Sequence, residues 1–121
     1  MADHIIRITD VVGNSLCIAS DDGEKVHAKI VGVIKRGDKV QLSFAGIQDL
    51  TSAFLNSAIG QLYGEFDEQQ LKASLLPPIE ASPDDLVLLK RVVERAKEYF
   101  KDRKRFDNAE REILGDDNNQ G

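Results

Sequence analysis

The sequence has one cysteine and two histidines in 121 residues, and each shortage excludes something. Cys17 has no second cysteine to pair with, so no internal disulfide can staple the fold, and a reducing, cytoplasmic setting is expected. His4 and His27 have no further ligand at usable spacing, so no metal site is expected. No basic segment followed by an apolar one opens the chain, and no apolar run approaches the roughly 18 residues of a membrane span. Neither export nor membrane insertion is expected. A phosphate-cradling glycine loop is missing too, and Ser20, Ser52 and Ser57 lack both a base and a glycine-flanked elbow. The chain therefore reads as a non-enzyme without a cofactor.

What is present is an ordinary globular balance, 41% hydrophobic and 31% charged, enough for one domain with a modest core. That domain is placed at 1–106. From 107 to 121 the composition turns to Asp, Asn, Gln and Gly, which predicts a polar, mobile tail. A net charge of −5 argues against a general nucleic-acid binder, since phosphate contacts need a basic face. The cations between Lys97 and Arg105 are interleaved with Glu98 and Asp102 and read as a solvated helix end.

The hub is the stretch from Lys39 to Phe66. Val40, Leu42 and Phe44 alternate with polar neighbours, the period of a strand with one buried face. Phe54, Leu55, Ala58, Ile59 and Leu62 then follow at spacings of three and four, so a helix begins near Thr51. Gly60 and Gly64 weaken its pattern, with close packing the alternative at Gly60. The turn between strand and helix carries Thr51 and Ser52 to a helix N-terminus. There either can cap unpaired N–H groups, and a phosphate would be welcome.

Before this hub, His4 to Val12 and Ser15 to Ala19 predict a hairpin closed by Gly13-Asn14. Ser20, as N-cap, opens a helix with the stripe Val26, Ile30, Val33 and Ile34, ending at Arg36-Gly37. After the hub, Leu71 to Leu76 predicts a core strand stopped by Pro77-Pro78. Ser82-Pro83-Asp84-Asp85 then opens a last helix with the stripe Leu86, Leu89, Val93, Ala96 and Phe100. The alternation of elements predicts an α/β fold with a small mixed sheet of about four strands and three helices.

This order, together with VQLSFAGIQDLTSAFLNSAIGQLY at 40–63, resembles the STAS-like domains of unknown function found in bacteria and phages. These are related in pattern to the STAS anti-sigma-factor antagonists. The resemblance covers roughly residues 12 to 100 and rests on Gly46, Thr51, Ser52, Phe54 and Leu55, with Ser43 where that group tends to show an aspartate. It implies a STAS-like fold and a regulatory protein-interaction module. In the antagonists a serine at the start of the corresponding helix is phosphorylated by a partner kinase, and that turn falls here on Thr51-Ser52-Ala53-Phe54. Ser52, with Thr51, is thus the implied phosphorylation switch, and Gly46, Gln48, Asp49 and Phe54 form the implied partner-binding surface. The implied partner is a histidine-kinase-like ATPase. A structural or inhibitory subunit of a bacterial defence or toxin-type assembly is the competing expectation.

Overall fold

The computed structural model describes the backbone of residues 3–120 and the side chains of residues 3–103. The strand marked by Val40 and Leu42 is β3, Lys39–Ser43, and Phe44 follows directly behind it. All three apolar side chains are buried, but so is Ser43. β3 is therefore more enclosed than a strand with one wet face. β1, Asp3–Arg7, pairs with it in parallel, from Asp3 opposite Lys39 to Arg7 opposite Ser43.

Residues 75–79 reach β3 through single bridges, Leu75 to Val40 and Ile79 to Ser43. The Leu76 N–H donates to the Val40 carbonyl, and the next bond, to the Leu42 carbonyl, comes from Ile79. Three residues here span two on β3 because Pro78, due to donate, has no N–H. The prolines thus break the pairing into isolated bridges. A second small sheet joins β2, Leu16–Cys17, to β4, Asp49–Leu50, again in parallel. The fold is mixed α/β, with two two-stranded parallel sheets in place of the single four-stranded sheet expected.

The helices also exceed the three expected. Residues 8–12 form a short helix, α1, Ile8–Val12, instead of prolonging β1. Ile8, Val11 and Val12 stand at the i, i+3, i+4 spacing of a helix face, and Ile8 is fully buried. Gly13 takes its φ of 77° as the cap of α1, its N–H donating to the Thr9 carbonyl. Positive φ serves a helix end here, and no hairpin forms. α2, Ser20–Lys35, buries Val26, Ile30, Val33 and Ile34 as expected. Its cap is Ala19, whose carbonyl accepts from Gly23 N–H, so Ser20 lies inside the first turn and caps nothing.

Next comes one nearly continuous helical run: α3, Ser52–Leu55, a π-helical turn, Asn56–Gly60, and α4, Leu62–Glu65. His27 on α2 reaches Glu65 on α4, Nε2 to Oε1, at 2.5 Å. The expected strand at Leu71 to Leu76 is mostly helix, α5, Glu68–Ser74, capped by Asp67 and anchored by buried Leu71. α6, Pro83–Gln120, starts as its signal predicts, with Ser82 Oγ accepting from Asp85 N–H at 3.1 Å. Its buried stripe is rotated from the expected one. Among the described residues Val92 and Ala96 are its buried positions, Leu89, Val93 and Phe100 are half-buried, and Leu86 is exposed. The tail expected at 107–121 falls where side chains, and Gly121 altogether, lie outside the described residues. No described helix is long and apolar enough to cross a membrane.

Candidate functional site

The turn from Phe44 to Ser52 is built by backbone bonds. Gly46, with φ of 78°, closes a tight reversal in which Ile47 N–H donates to the Phe44 carbonyl. Gln48 N–H then donates to the Ser15 carbonyl at 2.9 Å, and Thr51 N–H to the Cys17 carbonyl at 3.2 Å. The β2–β4 pair thus fixes where the helix run begins. Gly46, Gln48 and Asp49 are exposed along this turn.

Thr51 and Ser52 separate into two roles. Thr51 Oγ1 accepts from Phe54 N–H at 3.1 Å and donates to the Ile18 carbonyl at 2.8 Å, so Thr51 is the N-cap and a tie to the residue after β2. Ser52 is exposed at the first position of α3, and its hydroxyl has no hydrogen-bond partner among the described residues. Phe54, expected on the docking surface, is fully buried instead. Its spacing with Leu55, Ala58 and Leu62 places it on the core stripe, so it holds the helix down and offers nothing to a partner.

Ser52 also stands on the rim of a groove of about 560 Å³ between the α3 run and α6, which the sequence did not reveal. Ala53 and Asn56 share its side, and Arg95, Tyr99 and Arg103 face them from α6. Their signal in the sequence is the spacing of four between those three residues, which the interleaved carboxylates of Glu98 and Asp102 mask.

Cys17 lies directly under the turn, fully buried. Burial, and then the carboxylates of Asp22 and Asp85, push its thiol from 9.0 up to about 11. It is a neutral core side chain, not a nucleophile. Of the two histidines, His4 pairs with Asp38 at 2.8 Å and His27 with Glu65. Among the described residues no three His, Cys, Asp or Glu side chains converge as a metal site would require.

A mixed α/β domain with a capped, hydroxyl-bearing turn between its buried strand and the following helix is the class these features define. The chain belongs to the family described as STAS-like domains of unknown function, whose sequence model matches residues 22–85. That span runs from the first turn of α2 to the first turn of α6 and contains the whole turn. No curated protein and no solved structure matches the chain.

Proposed function

We propose that this chain is a non-enzymatic regulatory module. It docks a protein partner over Gly46, Gln48, Asp49 and Ser52, and Ser52 is the residue that a histidine-kinase-like ATPase partner phosphorylates. The observation that carries this reading is the division of labour at the helix start. Thr51 does the capping, which leaves the Ser52 hydroxyl exposed and unengaged. A phosphate there would bring nearly two negative charges to a docking surface that tolerates them only when wet. The fold would survive the modification and the complex would not.

The test is titration of the protein against a histidine-kinase-like ATPase from the same source, with mass spectrometry for phosphate after incubation with ATP. Ser52→Ala is expected to bind constitutively, and Ser52→Asp to bind weakly while keeping its fold, since a first-turn carboxylate suits the helix dipole. Equal binding by the two variants, with no phosphate on the wild type, would leave a docking subunit and remove the switch.

A further inference from the structure

Arg95, Tyr99 and Arg103 stand four residues apart on α6 and form one stripe along the groove that Ser52 rims. At 1.5 Å per residue the two arginines are about 12 Å apart along the axis, roughly four residues of an extended segment. Both are exposed, and neither forms an ion pair among the described residues. Among the described residues, no carboxylate lines the groove. In a chain of net charge −5 this is a local reversal of sign. Val92 and Ala96 supply an apolar floor beside it, and Tyr99 is 58% exposed, its ring edge-on to Phe100 at 5.0 Å.

A guanidinium recognises a carboxylate through two parallel N–H donors, and an exposed tyrosine ring gives an apolar side chain a rigid face to lie on. We propose that the groove between α3 and α6 docks an acidic segment of the partner protein. Arg95 and Arg103 take its carboxylates, and Tyr99 and Ala96 take the apolar side chain between them. This rests on the docking reading of the Ser52 region and names the chemistry of its partner. It also gives the switch a second lever. A phosphate on Ser52 enters the same groove and competes for the arginines.

The test uses fluorescein-labelled poly(Glu,Tyr) as probe, read by fluorescence anisotropy near physiological salt, with polyglutamate and single-stranded oligothymidylate as competitors. The wild type is expected to prefer poly(Glu,Tyr) to both competitors. Arg95→Glu and Arg103→Glu should each weaken it about tenfold, and Tyr99→Ala should erase the preference over polyglutamate. Arg91→Glu makes the same charge change on an exposed face of α6 outside the groove and should cost less than about twofold. The proposal is overturned if the wild type does not bind, if Arg91→Glu and Arg95→Glu lose affinity equally, or if oligothymidylate wins, which would make the face a nucleic-acid surface. If the groove variants lose the probe while Ser52→Ala and Ser52→Asp bind the ATPase alike, the groove stands and the phosphorylation switch falls. The reverse pattern leaves the Ser52 switch and removes the groove.

Discussion

A Cβ placed on Gly23 would lie 2.5 Å from the carbonyl oxygen of Phe54 and 2.8 Å from Ser57 Cβ, so α2 rests against the backbone of the α3 run. Helix propensity alone favours Gly→Ala by about 1 kcal/mol. At Gly23 the clash reverses the sign, because the Phe54 carbonyl is backbone and cannot rotate away. Gly23→Ala is expected to destabilise by about 1–3 kcal/mol. Gly32, on the same helix, meets only the tip of Arg36 at 4.0 Å, so Gly32→Ala should stabilise by about 0.5–1 kcal/mol. Urea midpoints of the two variants, moving in opposite directions, check the contact. Movement in the same direction would place α2 elsewhere.

Thr51 and Ser52 should part just as clearly. Removing the Thr51 hydroxyl loses both the bond to Phe54 N–H and the bond to the Ile18 carbonyl. Thr51→Ala is therefore expected to cost about 1–2 kcal/mol in denaturant unfolding. Ser52→Ala should stay within about 0.5 kcal/mol. A larger loss at Ser52 than at Thr51 would mean that the cap is misassigned and would take away the basis of the switch.

Where sequence and structure agree, local chemistry had one outcome. Ser82-Pro83-Asp84-Asp85 can only start a helix, and Val26, Ile30, Val33 and Ile34 fit only its period. Where they part, two local readings were nearly equal and tertiary packing chose between them. Ile6, Ile8, Val11 and Val12 satisfy a strand's alternation as far as Ile8 and a helix's spacing beyond it. The apolar content of Leu71 to Leu76 suits a strand, yet Asp67 caps a helix there that runs to Ser74 with Leu71 as its buried anchor, and within that stretch only Leu75 and Leu76 pair with β3. Nothing local foretold the π-helical turn, nor Gly64 lying under the Phe100 ring, since Phe100 comes from another element. At the site, hydroxyls at a helix start were legible. Which of them was the cap depended on Ile18, more than thirty residues away.

The enclosure of β3 makes a graded prediction. Leu42 is 6% exposed, and truncating it should cost about 2–5 kcal/mol through lost burial and an unfilled cavity. Gln41 is half-buried and its Nε2 donates to the Pro77 carbonyl at 2.9 Å, so Gln41→Ala should cost no more than about 1 kcal/mol. Comparable small losses in thermal melts would show that β3 is not the hub.

Alkaline stability should report on Cys17. The folded chain holds the thiol proton up to about pH 11, whereas the ordinary value is 9.0. Between those values the unfolded chain releases a proton that the folded chain keeps, so rising pH favours unfolding. The contribution is complete below pH 9.0 and disappears as pH rises to about 11. Tyr63, raised by burial and then by Glu68, pulls in the same direction at higher pH. Cys17→Ala should be less stable at about pH 8, from the lost burial, but its urea midpoint should fall less steeply above pH 9.0. Parallel curves for variant and wild type would clear the thiol and leave Tyr63 as the cause. A thiolate-selective reagent such as a disulfide dye gives the matching kinetic check: at about pH 8 it should label Cys17 quickly in urea and slowly in the native protein.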